Sequence, residues 1–84
     1  MKNKILIELV VPDIDEIYNV YIPINKRIGN IIILLAKAVS EFNLGEFEEN
    51  NHNCLYDGET GQRYTVNELV RNTNIRNGSR LILM

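Results

Sequence analysis

A single histidine and a single cysteine stand two residues apart, at His52 and Cys54. In an extended segment that spacing puts both side chains on one face of the chain. A thiol beside an imidazole is the smallest arrangement that supports nucleophilic catalysis, because the imidazole takes the thiol proton. Catalysis also needs an oriented base and a pocket, and the surroundings speak against both. Cys54 opens the apolar run Cys54-Leu55-Tyr56 and reads as a small buried hydrophobe, while His52 lies in a polar loop rich in Glu and Asn. As metal ligands the two fall short of the four that a structural zinc requires. Asp57-Gly58-Glu59-Thr60-Gly61 combines carboxylates with glycines, as calcium and phosphate loops do. It has neither the 12-residue ligand ladder of an EF-hand nor the Gly-Lys-Ser/Thr ending of a P-loop, so it reads as a hairpin turn. No catalytic residue, metal or cofactor is assigned, and the chain is not expected to be an enzyme.

Residues without chemistry of their own must work by presenting a surface, and size limits how. A chain of 84 residues buries roughly 60 to 65% of the surface its unfolded form exposes. That is enough for one core, so residues 1–84 are expected to form a single domain without a deep cleft. The composition, 45% hydrophobic and 24% charged, is globular. A net charge of −2 argues against nucleic-acid binding, which concentrates Lys and Arg into a patch. Arg71, Arg76 and Arg80 are the nearest thing to a cluster and read as a solvated face. Cys54 has no partner for an internal disulfide, which fits a reducing, cytoplasmic setting. Met1-Lys2-Asn3-Lys4 followed by Ile5 to Val11 has the outline of a signal peptide. Glu8 interrupts that run and no small-residue cleavage site follows, so neither secretion nor direct membrane insertion is expected.

Periodicity supplies the elements. Lys4 to Val11 alternates with a period of two, placing Ile5, Ile7 and Leu9 on one face and Leu6, Glu8 and Val10 on the other. Pro12 to Glu16 carries turn chemistry. Tyr18 to Ile24 is the returning strand, with Tyr18, Val20, Ile22 and Ile24 inward and Asn19 and Tyr21 outward. Pro23 lacks the N–H that an interior strand donates, which predicts an edge for this strand. From Arg27 the period becomes helical: Ile28, Ile31, Ile32, Leu35, Ala38, Val39 and Phe42 project onto one stripe. The helix is predicted over Lys26–Asn43, with Asn25 as N-cap and Gly45 just past its end. Ile33 and Leu34 fall outside the stripe, and Ile33 is a candidate contact residue on the exposed helix face.

Asn43 to Asn53 reads as a crossover loop anchored by Leu44 and Phe47. Cys54-Leu55-Tyr56 is a short strand and Gln62-Arg63-Tyr64 its return. Thr65 to Leu69 opens a one-turn helix, with Thr65 and Glu68 in capping-box spacing. Asn77-Gly78 is a turn, and Arg80 to Met84 the final strand.

Hairpin, long helix, short strands, helical turn and closing strand is the order of the β-grasp, and the second half resembles ubiquitin-like proteins residue by residue. Cys54-Leu55-Tyr56-Asp57-Gly58 resembles the Leu-Ile-Phe-Ala-Gly strand and turn of ubiquitin. Thr65-Val66-Asn67-Glu68-Leu69 resembles its Thr-Leu-Ser-Asp-Tyr turn, and Asn74-Ile75 its Asn-Ile. The closing segment Asn77-Gly78-Ser79-Arg80-Leu81 is similar to the Asn-Gly-Asp-Arg-Leu type of the YukD/EsaB family, departing from it at Ser79. That family comprises bacterial ubiquitin-like proteins encoded with type VII secretion systems. The resemblance implies an α+β fold, a mixed sheet of four to five strands packed on one main helix, with the first and last strands parallel at the centre.

It also implies a mode of action. Ubiquitin and the sulfur carriers act through a flexible Gly-Gly tail, whereas the sequence given closes on Leu81-Ile82-Leu83-Met84, so neither conjugation nor sulfur transfer is expected. The alternative is a modifier or carrier that acts only after maturation or with a partner. By alternation the outer face of the sheet is expected to show Leu6, Glu8, Val10, Leu55, Ile82 and the terminal Met84. Leu55 and Ile82 fall near positions that resemble ubiquitin's hydrophobic recognition patch. Leu6, Val10, Leu55 and Ile82 are therefore the candidate protein-binding residues, with Ile33 on the helix. The expected partner is a protein of the secretion system. A homodimer built on the same residues stays open.

Overall fold

The computed structural model describes residues 3–45, 47 and 52–84. Strand β1 spans Lys4–Val11, and a 3-10 turn at Pro12–Ile14 leads into β2, Glu16–Pro23. Asp15 takes the left-handed conformation, φ 52°, that closes this connection, a geometry short polar side chains tolerate. The helix α1 spans Ile28–Phe42, β3 spans Leu55–Asp57, a second 3-10 turn covers Val70–Asn72, and β4 spans Arg80–Leu83.

The sheet has the order β2-β1-β4-β3. β1 and β4 lie parallel at its centre, β2 pairs antiparallel with β1, and β3 antiparallel with β4. The Pro23 strand is thus an edge, as its missing donor requires. The alternation of β1 is realised: Ile7, Leu9 and Val11 are buried under the helix, joined by Ile22, Leu55, Leu81 and Leu83 from the other strands. From α1 come Ile28, Ile31, Ile32, Leu35, Ala36 and Val39. Each buried Val, Leu or Ile among them contributes roughly 1.5–3 kcal/mol of transfer free energy.

Several local expectations are corrected. Phe42, at the end of the stripe, is 58% exposed and tilts against the Tyr18 ring at 5.3 Å, while Ala36 enters the core in its place. α1 starts at Ile28, the first residue of its stripe and two residues after the predicted start at Lys26, and Asn25 does not cap it. Its first free amides are met by main-chain carbonyls: Ile28 N–H donates to Glu68 O at 2.8 Å and Gly29 N–H to Val66 O at 2.9 Å. The Thr65–Leu69 segment therefore caps the long helix instead of opening a short one, and the helical turn follows at Val70–Asn72. Asn25 accepts from Arg71 Nη1 instead.

At the other end of α1 the left-handed residue after the cap is Leu44, φ 59°. Leu44 is 95% exposed and anchors nothing, whereas Phe47 is buried. Residues 46 and 48–51 of the predicted crossover loop lie outside the described residues. The return strand at Gln62–Tyr64 reduces to one bridge between Tyr56 and Arg63.

Candidate protein-binding face

The backbone of β1 fixes which side chains leave the core. Glu8 pairs with Asn19 on β2 and Arg80 on β4, and Val10 pairs with Ile17 and Ile82. Directly paired residues share a face, and Ile82 is in turn opposite Tyr56 on β3. Ile17, Val10, Ile82 and Tyr56 thus form one row across all four strands on the face turned away from α1. Ile17 is 60% exposed, and the other three are partly exposed.

Beside this row runs a polar one. Arg80 Nε donates to Glu8 Oε1 at 2.5 Å, and Asn19 completes the line across β1. Beyond it Leu6 pairs with the exposed Tyr21. The outer face is therefore banded, with apolar residues on either side of an ion pair. An exposed ion pair is worth little in stability, about 0–1 kcal/mol, but it separates Leu6 from Val10 and Ile82.

Leu55 is the clear correction. It is 0% exposed and lies opposite Leu83 in the register of β3 with β4, whereas Tyr56 lies opposite Ile82. Because the side-chain period is two, counting β3 one residue out of phase exchanges its faces completely. Tyr56, in a strand of three residues too short for a pattern to fix its phase, is the outer-face residue that sequence reasoning missed. The signal was Asp57: its carboxylate accepts from Asn74 Nδ2 at 2.9 Å and from Glu59 N–H at 2.8 Å, so it faces inward into a polar network and Tyr56 must face out. Ile33 is 64% exposed but belongs to the helix layer, away from the outer face of the sheet. Met84 is tied to the edge of the sheet: its N–H donates to Cys54 O at 3.1 Å and Cys54 N–H donates to Met84 O at 2.6 Å.

The network behind Tyr56 is electrostatically tuned. Hydrogen bonds, chiefly from Asn74 and then from the Glu59 amide, hold the Asp57 carboxyl below the usual aspartate range. Tyr64 donates to Asn74 Oδ1 at 2.8 Å, and burial, with the Asp57 charge beside it, pushes its phenol up to about 12. This chain of bonds pins the 57–61 turn to the 73–75 segment. Gly58 carries the closest approach there, since a Cβ at that position would stand 2.5 Å from Arg80 Cγ and 2.8 Å from Arg80 O.

Of the residues first considered for chemistry, Cys54 Sγ contacts the main-chain carbonyl of His52 at 3.5 Å. Among the described residues no three His, Cys, Asp or Glu side chains are grouped to hold a metal ion. Arg71, Arg76 and Arg80 reach in different directions, to Asn25, to Thr73 O and Ile75 O, and to Glu8. Among the described residues no helix is long and apolar enough to cross a membrane.

No protein-family model and no curated protein matches the chain. Solved structures do. The ubiquitin-like domain of EccD5 from Mycobacterium xenopi superposes with a TM-score of 0.80 at 20% identity, over 96% of this chain and 92% of that one. The ubiquitin-like domain of the Mycobacterium tuberculosis type VII secretion protein EccD1 gives 0.76 at 10% identity, over 95% and 96%. A chain of the ESX-5 inner membrane complex gives 0.81 at 16% identity over 98% of this chain, which spans only 21% of that longer one. The order of strands, the parallel central pair and these superpositions together give the chain the ubiquitin-like β-grasp fold.

Proposed function

We propose that this chain is a single-domain ubiquitin-like interaction module that acts without covalent conjugation, as an accessory cytoplasmic component of a bacterial type VII secretion system of the YukD/EsaB kind. The observation that carries the reading is the row Ile17, Val10, Ile82 and Tyr56, presented by four paired strands in a fold that recurs in EccD ubiquitin-like domains. Rigid strands hold an apolar surface in place before a partner arrives, which lowers the ordering cost of binding. Aromatic and aliphatic side chains at the centre of such a surface are the usual anchors of affinity. Residues Leu81 to Leu83 are strand, and Met84 is hydrogen bonded on both sides to Cys54, so these residues are held in the sheet as part of the presented surface.

The test is co-purification with the membrane components of a type VII system from the native cells, comparing wild type with Ile82→Asp and Tyr56→Ala. The expected result is loss of the complex in both variants with circular dichroism unchanged, and an unmodified intact mass for the wild-type chain. Retention of the complex by both well-folded variants would remove the outer face from the mechanism. A mass adduct at the C-terminal carboxylate would favour the modifier reading.

A further inference from the structure

The strand β2 is an open edge whose blunting residues, Glu16 and Pro23, stand at its two ends. It is eight residues long, and proteins usually protect such an edge with charge, bulges or covering segments. Its hydrogen-bonding directions follow from the pairing with β1. Ile24 N–H donates to Asn3 O at 2.9 Å, and every second residue along the register then bonds to β1 in the same way, namely Ile22, Val20 and Tyr18. The main-chain groups of Ile17, Asn19 and Tyr21 consequently point away from the sheet. On the other side of β1 the even-numbered residues address β4, as Glu8 N–H to Ser79 O and Gly78 N–H to Leu6 O require. Among the described residues no strand pairs with the outer side of β2.

Exposed apolar side chains gather on this edge. Ile17 is 60% and Tyr21 57% exposed. On the helix flank above, Leu34 at 51% and Phe42 at 58% border a groove of about 340 Å³ whose floor includes Val20 and Ile22.

Charge along the same edge is polarised. At the start of β2 stand the exposed Asp13, Asp15 and Glu16. At its far end stand the exposed Lys4, which pairs with Pro23, Lys26, and Arg71, whose N–H donates to Ile24 O. Two copies of such an edge repel when laid parallel and attract when laid antiparallel.

We infer that β2 pairs antiparallel with β2 of a second copy of this chain, about a twofold axis at Asn19, so that two four-stranded sheets become one. In that register Ile17 lies opposite Tyr21 of the second copy, Asn19 opposite Asn19, and Tyr21 opposite Ile17. These three pairs exchange about six main-chain hydrogen bonds, at two per pair. Ile17 and Tyr21 make the β-branched-to-aromatic cross-strand contact that stabilises antiparallel pairs. The ladder ends where Pro23 has no N–H to give. Asp13, Asp15 and Glu16 of one copy come alongside the Ile22 to Lys26 end of the other. The inference shares Ile17 with the outer-face reading but leaves Val10, Ile82 and Tyr56 open on the joined sheet.

The test is the oligomeric state of the full chain by sedimentation and light scattering up to about 1 mM, since an interface of this size belongs to the weak class. Wild type is expected to pass from monomer to dimer with concentration. Asn19→Lys and Asn19→Asp, which set like charges on the axis at an exposed position, are each expected to stay monomeric with an unchanged circular dichroism spectrum. Their equimolar mixture is expected to regain the dimer, an outcome that general destabilisation cannot produce. The inference is overturned by a wild type monomeric throughout that range, by a dimer that survives Asn19→Lys, or by a dimer dissolved by Ile82→Asp alone.

Discussion

Exchanging the two neighbours Leu55 and Tyr56 as mutational targets decides the register of β3, and with it the composition of the outer face. Leu55 is 0% exposed and packs in the core between β4 and α1, so Leu55→Ala loses the full transfer free energy of the side chain and leaves a cavity. For a site of this kind the cost is about 3 kcal/mol. An 84-residue domain holds roughly 4–13 kcal/mol in total, so the loss is a large fraction of it. At the 4–8 °C per kcal/mol typical of this size, the melting temperature falls by about 12–24 °C. Tyr56 lies on the outer face opposite Ile82 and is only partly covered. Tyr56→Ala therefore costs about 1 kcal/mol, the value of a lost cross-strand pair. Thermal and urea unfolding followed by circular dichroism measures both. If Tyr56→Ala proves the severe change and Leu55→Ala the mild one, β3 is shifted by one residue and Leu55 belongs to the recognition row after all.

Two further outcomes follow from local geometry. Leu44→Gly is expected to stabilise by about 0.5 kcal/mol, because a left-handed φ of 59° strains a leucine by about 1–2 kcal/mol while a 95% exposed side chain gives up no packing, with part of the gain offset by unfolded-chain entropy; a lowered melting temperature would contradict it. The Asp57–Asn74–Tyr64 chain predicts loss of stability at both extremes of pH. Asp57 titrates below its ordinary 3.8 when folded, so its contribution is present above that value and lost as pH falls through the folded value. Tyr64 titrates at about 12 when folded against 10.0 otherwise, so its contribution is present below pH 10.0 and lost as pH rises toward 12. Asp57→Asn should flatten the acid limb and Tyr64→Phe the alkaline limb of unfolding free energy against pH, and limbs unchanged by both substitutions would refute the network.

Strong periodicity made most of the fold legible. Lys4–Val11 alternates over eight residues and its bounds follow directly, because half-burial on a sheet is a property of the pattern itself. The helical stripe of Ile28, Ile31, Ile32, Leu35 and Val39 placed α1 for the same reason. Pro23 marked the edge through a missing donor, a purely covalent fact. Legibility failed where an element is too short to carry a pattern. In Leu55–Asp57 three residues cannot fix a phase, and Asp57, which looks solvent-facing by type, is buried because Asn74 and the Glu59 amide satisfy it. Thr65–Glu68 has capping-box spacing, yet its carbonyls cap a helix nearly forty residues earlier in the chain, a choice made by docking rather than by local propensity.

The sequence by itself therefore determined the β-grasp order of elements, the inner faces of the two long strands and the helix, and the open edge at β2, since each rests on covalent geometry or on a repeat long enough to be read. Tertiary structure alone decided which residues share the outer face. Leu6, Val10 and Ile82 reach the outer side of the sheet as their alternation requires, but the Glu8–Arg80 pair divides them, Tyr56 takes the place expected of Leu55, and Ile33 lies in another layer. Which residues become neighbours across strands depends on register, and register is set by the whole sheet against its helix.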